Sequence, residues 1–483
     1  MLQKEIQELI KSLPLESQKV VEAIAMIYES HYESKINALE KRVKELEDQI
    51  SKDSNNSSKP PSSNEFNKKP KSLRGKSGLK TGGQKGHKGT TLKISENPNE
   101  IKTHKVCSCE NCNKSLRNQQ IERMEYRQVY DIPPIQMKVT EHRSEVKVCL
   151  CGHINKAFPS GVNHHVQYGP NIKSMVVYLQ DYQLLPYERT TELVKDLFGH
   201  QMSKGTLYNF RKRAFDQLET FEEKLKTLLR SCLVLGFDET GFRIMAQRLW
   251  LHSCSASKYA YYQVHENRGQ LAMTANNILP HFRGIAVHDF WKSYYKYKCQ
   301  HALCNAHLLR DLIFIKERFK QDWAGKLIKL LLKMKKAKER AILKGKSFLS
   351  KSTLQKYQKQ YDEIVAQGLK ENPFQPPREK KRGRPKKTPP RNLIERLQNY
   401  TEDILRFLYN FKVPFDNNFS ERDIRMMKVK QKISGCFRSL KGAEFFARVR
   451  SYIMTARKQQ VNCFDALTSL FTANTIASQL TRP

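Results

Sequence analysis

The stretch from Leu233 to Phe290 constrains the fold more than any other part of this 483-residue chain. LVLGF (233–237) is a near-continuous apolar run that ends in Asp238, the pattern of a strand buried on both faces. QRLWLHSCSA (247–256) and KYAYYQVHE (258–266) predict two further strands at short spacing. GQLAMTANNIL (269–279) predicts a crossover helix, and GIAVHDF (284–290) a fourth strand that ends in Asp289. In a β-β-β-α-β order, a right-handed crossover lays the fourth strand parallel to the first. Asp238 and Asp289 then project from the same edge of adjacent strands.

Side-by-side carboxylates repel, and a cation between them relieves the repulsion. An all-oxygen site of this kind selects hard ions such as Mg²⁺ or Mn²⁺. A pair of such ions, roughly 3.5–4 Å apart, serves phosphoryl transfer. A third acid must come from elsewhere, and VPFDNNFSERDIRMMKVKQKISGCFRS (413–439) supplies Glu421. It follows a Ser420 or Asn418 cap in a helix continuing through Arg422, Arg425, Lys428, Lys430 and Lys432, with Arg438 just beyond. From Arg422 to Lys458 eleven Lys and Arg stand against two acids. A carboxylate in that setting reads as a metal ligand flanked by phosphate contacts. The plainer alternatives are strand-end turn residues for the aspartates and a helix-start anion for Glu421.

The net charge of +38 is unevenly spread: residues 1–50 hold seven Lys and Arg against ten Asp and Glu, while later blocks carry large basic excesses. Clustered charge favours a polyanionic partner over a uniformly solvated surface. No run of about 18 apolar residues exists, which excludes a membrane-spanning helix. The first twenty residues lack a continuous apolar segment, so no secretory signal is expected.

Ile36, Leu39, Val43, Leu46 and Ile50 repeat at a/d spacing within residues 1–50, fitting a short coiled coil and self-association or, equally, an amphipathic helix packed on its own chain. Residues 51–100 open with a Ser-, Asn-, Pro-, Gly- and Lys-rich tract (51–89) that cannot bury a core, and are expected to be a flexible basic linker. The unit 101–165 holds Cys109 and Cys112 in a C-x2-C pair and Cys149 and Cys151 in a C-x-C pair. Four thiolates at about 2.3 Å from one ion make a closed, structural Zn²⁺ site. Cys107 is an alternative to Cys109. RQVYDIPPIQMKVTEHRSEVKV, between the pairs, reads as two extended strands.

In the helical region 166–225, YERTTELVKDLFG and KGTLYNFRKRAF flank a short Gly-containing turn, as in a helix-turn-helix DNA-binding unit. Leu207, Phe210 and Ala214 mark its buried stripe, leaving Lys204, Tyr208, Arg211 and Lys212 outward. Two packed helices without DNA are the plainer reading. REKKRGRPKKTPPR (378–391) carries eight cations and one acid, and its Arg382-Gly383-Arg384-Pro385 core fits either a minor-groove arm or a basic linker.

These motifs together make the chain resemble the IS66 family of bacterial insertion-sequence transposases, a DDE group. The resemblance rests on the coiled-coil start, NNSSKPPSSN (55–64), GGQKGHKG (82–89), the Cys pairs around YRQVYDIPP, DETG (238–241), HDFWKSYY (288–295), CNAHLLRDL (304–312), NNFSERDIR (417–425) and KISGCFRS (432–439). It implies a multidomain α/β protein with an RNase H-like mixed-sheet core. The core would be split into 226–311 and 397–460 by a helical insertion (312–396) bearing the basic patch, and followed by a tail (461–483). It further implies Asp238, Asp289 and Glu421 as a triad for two Mg²⁺ or Mn²⁺ ions, cutting and joining DNA. Implied partners are element ends, target DNA, a second copy and accessory proteins of the same element, on the nucleoid in a bacterial cytoplasm. A catalytically inactive DNA-binding regulator using the same modules is the competing expectation. Cys304 and His307 match a C-x-x-H feature of several DDE groups. With Cys299 and His301 they form a second potential zinc set, though packing or DNA contact by His307 is the stronger expectation.

Overall fold

The computed structural model describes residues 8, 10–57, 82–84, 86–89, 91–133, 135–245, 247–374, 387–472 and 476–480. It divides into two compact units: Met1–Lys71 with Ser160–Thr190 and Lys204–Pro483, and Ser72–Pro159 with Thr191–Ser203. Arg382 and Arg384 lie outside the described residues.

Helix α1 (Leu15–Ile50) carries Ile36, Leu39, Val43, Leu46 and Ile50, all exposed. At its end Glu47 and Asp48 accept from Arg318 at 2.7 and 2.8 Å.

In the smaller unit, strands β1 (Val146–Val148) and β2 (Ile154–Lys156) pair antiparallel around the C-x-C turn. The two strands expected between the cysteine pairs are reduced to β1, because among the described residues 127–145 no strand forms. The Pro133–Pro134 pair in that segment offers no backbone donor to a ladder.

In the larger unit, α2 (Pro170–Val177) runs into a wide π-turn, Tyr178–Tyr182. Of α3 (Tyr187–Phe198) only the first turn, to Thr190, belongs to this unit and the rest to the smaller one; α4 (Lys204–Gln217) and α5 (Glu219–Arg230) come next in the larger unit. The sheet follows: β3 (Val234–Ile244), β4 (Gln247–Ser255), β5 (Ala260–His265), the short α6 (Gln270–Ala275), β6 (Ile285–His288) and β7 (Gln300–Leu303). Its order is β5-β4-β3-β6-β7, with β3, β4 and β5 antiparallel and β3, β6 and β7 parallel. All four residues of β6 are buried, as expected for an inner parallel strand.

Helices α7 (Asn305–Phe319), α8 (Asp322–Leu343), α9 (Lys351–Glu371), α10 (Pro389–Asn399) and α11 (Thr401–Tyr409) follow, then α12 (Asn418–Ser434), α13 (Leu440–Lys458), α14 (Cys463–Leu470) and α15 (Ile476–Leu480). Two apolar clusters among the described residues flank the sheet. One joins Ile285, Val287 and Leu303 to Leu312, Trp323, Tyr361, Ile394 and Phe407 of α7–α11. The other joins Phe242, Leu251 and Tyr262 to Met427 and Phe446 of α12 and α13. Gly236 marks where α12 begins against β3: a Cβ there would overlap Ser420 Oγ, Phe419 Cζ and Asn417 Oδ1.

Candidate active site

β3 and β6 pair in register as Val234↔Ile285, Leu235↔Ala286 and Gly236↔Val287. Asp238 and Asp289 each stand two residues past the last of these couples. β6 stops at His288, just before Asp289, whereas the strand expected to end in Asp238 runs on to Ile244, because Asp238 and the residues after it stay paired with β4 from Asp238↔Ser253 to Ile244↔Gln247. Both aspartates are half-buried, and among the described residues neither forms an ion pair. Asp238 Oδ1 accepts the Glu239 N–H at 2.9 Å, and Asp289 Oδ1 the Trp291 N–H at 3.0 Å. Burial, then the negative charges of Glu239, Glu421 and Asp289, push the Asp238 carboxyl well up. Burial and Glu239 push Asp289 up to about 6, against the opposing Trp291 bond, Arg268 and Arg396. Each carboxyl therefore resists ionising unless positive charge arrives.

Behind the pair, His288 bonds Asp289 O through Nδ1 and His301 Nδ1 through Nε2 at 3.0 Å, while its ring stacks on Tyr294 at 4.4 Å. Burial holds the His288 imidazole down to about 3, so it is a neutral packing element.

α12 delivers Glu421 in its first turn, where the helix dipole favours an anion. The start of this helix is anchored differently from the expected Ser or Asn cap. Asn418 N–H bonds Asp416 Oδ1 at 3.2 Å. Asn417, the N-cap, sends its Nδ2 to Phe237 O at 2.8 Å and its backbone N–H to Cys304 Sγ at 3.2 Å. Glu421 Oε1 lies 3.7 Å from Cys304 Sγ, which donates to it, and 3.6 Å from His307 Nδ1. Burial pushes Glu421 up, with Arg310 and the Cys304 bond opposing. Among the described residues, Cys304, His307 and Glu421 are the group whose donor atoms all lie within 4.8 Å of one another. Asp238 feels Glu421's charge, but the three carboxylates do not close to that distance.

The remaining site expectations divide clearly. Cys299 and His301 do not join Cys304 and His307, because His301 is engaged by His288. His307, expected to pack or to touch DNA, is half-buried with Nδ1 turned to Glu421. Arg211, expected outward, is buried: Nε and Nη2 grip Asp181 of the π-turn at 2.9 and 2.6 Å, and Nη1 bonds Tyr187 Oη at 2.8 Å. Lys430 is likewise buried, its Nζ 5.1 and 5.3 Å from the Phe437 and Phe446 ring centres, and burial holds its amine down to about 8. Neither is offered to DNA. Lys204 and Lys212 are exposed, paired with Glu188 and Asp216, and Arg422, Arg425, Lys432 and Arg438 are exposed along or just past α12.

The cysteine pairs each sit in a tight turn. Asn113 N–H bonds Cys109 O at 2.9 Å, and Cys149 N–H bonds His153 O at 2.9 Å. Backbone and thiol bonds from Cys112 lower the Cys109 thiol, as those from Cys151 lower Cys149. No three of these sulfurs come within 4.8 Å of one another.

Sequence reasoning passed over Glu239. Its carboxylate is almost fully buried, taking Arg268 at 3.0 and 2.8 Å on Oε1 and Tyr294 Oη at 2.6 Å on Oε2. Arg268 in turn lies over Trp291 at 4.4 Å. The acid next to Asp238 in DETG was the available signal.

A family model described as "Transposase IS66 family" matches residues 165–445, more than half of the chain, including Asp238, Glu239, Asp289, Cys304, His307 and Glu421 but not the cysteine pairs before residue 152. The protein belongs to the IS66 transposase family. A model for a family of unknown function (DUF6444) matches residues 2–93 of this IS66 chain. Among curated proteins no relative matches it.

Proposed function

We propose that this IS66 chain is an active DDE transposase that binds the ends of its element, cuts the DNA strands and joins the freed 3′-hydroxyl to target DNA. The observation that supports it most is the pair of aspartates, neither in an ion pair among the described residues, at matched positions two residues beyond the Gly236↔Val287 couple of β3 and β6. An all-oxygen donor set in which burial raises the proton affinity of all three acids, and Glu421 and Asp289 raise that of Asp238 further, fits Mg²⁺ or Mn²⁺. Asp238 and Asp289 would hold two such ions and Glu421 would complete the second. When bound, the ions supply charge that activates the attacking oxygen and steadies the departing one. Glu239 stays out of the set because Arg268 and Tyr294 already satisfy it. Arg422, Arg425, Lys432 and Arg438 are placed to hold phosphates beside Glu421.

The remaining assignments belong to the same reading. The sheet, with antiparallel β3–β5 extended by parallel β6 and β7, is an RNase H-like core into which α7–α10 are inserted. The segments are those read above: 1–50 helical, 51–100 linker, 101–165 zinc unit, 166–225 helical DNA-binding region, core at 226–311 and 397–460, insertion at 312–396 and tail at 461–483. Zn²⁺ on Cys109, Cys112, Cys149 and Cys151 orders the second segment's neighbour, and α1 pairs two copies through its exposed apolar stripe. Lys204 and Lys212 contact element ends, Arg382 and Arg384 a minor groove, and accessory proteins of the element assist on the nucleoid. No described helix is long and apolar enough to cross a membrane. Incubating the full chain with DNA carrying the element ends and Mg²⁺ tests the proposal. Strand cutting lost in Asp238→Ala is expected, and binding with no cutting by the unmutated chain would overturn it in favour of a DNA-binding regulator.

A further inference from the structure

We infer that Cys304, His307 and Glu421 form a binding site for a soft divalent cation of the zinc class, and that filling it withdraws Glu421 from the aspartate pair. Cys304 is the N-cap of α7 and His307 lies three residues on, so thiol and imidazole rise on one face of the same turn. α12 brings in the carboxylate from 117 residues away. Tetrahedral zinc, at about 2.0–2.3 Å from S, N and O ligands, spaces those ligands by roughly 3.3–3.8 Å. Glu421 Oε1 already stands 3.7 Å from the sulfur and 3.6 Å from the imidazole nitrogen.

Two further observations point to a ligand. His307 Nδ1 is buried with no hydrogen-bond partner. Asn417 N–H points at Cys304 Sγ at 3.2 Å, a donor that offsets part of the burial and Glu421 charge that push the thiol up to about 12, so that ionisation of this sulfur needs a cation beside it. A mixed S, N, O set suits Zn²⁺, Co²⁺ or Cd²⁺ and discriminates against Mg²⁺, which prefers oxygen ligands alone. The ion takes the thiolate, and the thiol proton leaves to solvent. A fourth position is left for water.

The binding half of this inference stands on the geometry alone, and the inhibitory half rests on the catalytic reading of Glu421. One acid then serves two competing sites: an oxygen site shared with Asp238 and Asp289, and a sulfur-nitrogen site shared with α7.

The test adds Co²⁺ to the full chain previously saturated with Zn²⁺ at its tighter sites, in excess Mg²⁺. One further equivalent is expected, with a thiolate-to-cobalt charge-transfer band that Cys304→Ser abolishes. His307→Gln is expected to weaken binding at least tenfold. Absence of the band, or a band unchanged in Cys304→Ser, would overturn the site. If Cys304→Ser fails to fold by circular dichroism, unchanged cobalt affinity in His307→Gln overturns it instead. In the cleavage assay, micromolar Zn²⁺ should inhibit the unmutated chain and inhibit His307→Gln at least tenfold less. Equal inhibition refutes the regulatory half while leaving the cobalt result to judge the site. A chain that cuts nothing overturns the proposed function without touching the cobalt measurement.

Discussion

Asn417 donates its side-chain amide to the carbonyl of Phe237 at 2.8 Å, tying the helix that carries Glu421 to the strand that carries Asp238 across 180 residues of sequence. The bond is buried and spans the two elements directly before their acids. Asn417→Ala leaves the Phe237 carbonyl without this donor, a loss of about 1–3 kcal/mol of stability. On the proposed catalytic reading of Glu421, a displacement of order 1 Å costs roughly 10²-fold in rate. A melting shift together with a hundredfold fall in Mg²⁺-dependent cutting is the expected result. Full activity in a destabilised variant would separate the bond from the positioning of Glu421.

Asp289 carries a pH signature. Its carboxyl is raised from 3.8 to about 6 by burial first and Glu239 second. The folded chain thus holds a proton that the unfolded chain releases between about pH 4 and 6. Metal-free stability must therefore fall as pH rises through that window, by on the order of 2–3 kcal/mol at its upper end. Asp289→Asn removes the penalty, so at pH 8 and without divalent metal it should melt higher than the unmutated chain while cutting no DNA. An equal or lower melting temperature would show that the carboxylate is relieved by another group.

Strands β3 to β6 were legible from local apolar runs, but β3 passes through Asp238 to Ile244 because β4 pairs with that extension, and β7 (Gln300–Leu303) was not read as a strand. The crossover helix ends earlier than its apolar pattern because Asn276 Oδ1 takes the N–H groups of Ile278 and Leu279 and Asn277 adopts φ 56°. The meeting of Glu421 with Cys304 and His307 had no such signal, since it depends on how α12 lands on the sheet. Arg211 shows the opposite error. It sits at i+4 from Leu207 and i−3 from Ala214, squarely on the buried stripe, and charge alone suggested solvent. The deciding partner, Asp181, lies thirty residues earlier in a π-turn.

Arg211 and the exposed lysines of the same helix should consequently part in mutagenesis. Arg211→Met strands Asp181 as a buried charge, costing about 3–5 kcal/mol, and Asp181→Leu added to it should recover much of the loss. Lys204→Ala and Lys212→Ala should leave melting within about 0.5 kcal/mol. If these lysines meet phosphates, each should lower the salt dependence of DNA binding by about one counterion. Unchanged salt slopes in both would remove this helix from the DNA interface.

Gly236 sets how closely the glutamate helix approaches the sheet. Its missing Cβ is where Ser420 Oγ, Phe419 Cζ and Asn417 Oδ1 converge, and two of those three belong to the turn that presents Glu421. Gly236→Ala forces this turn outward and overpacks the site at a cost of about 1–3 kcal/mol. The displacement bears on cutting more than on DNA affinity, because the exposed cations of α12 retain their surface positions. The expected outcome is end binding within about threefold of the unmutated chain with cutting reduced by 10²-fold or more. Cutting and binding that fall together would show that the substitution disrupts the unit as a whole rather than the spacing between Asp238 and Glu421.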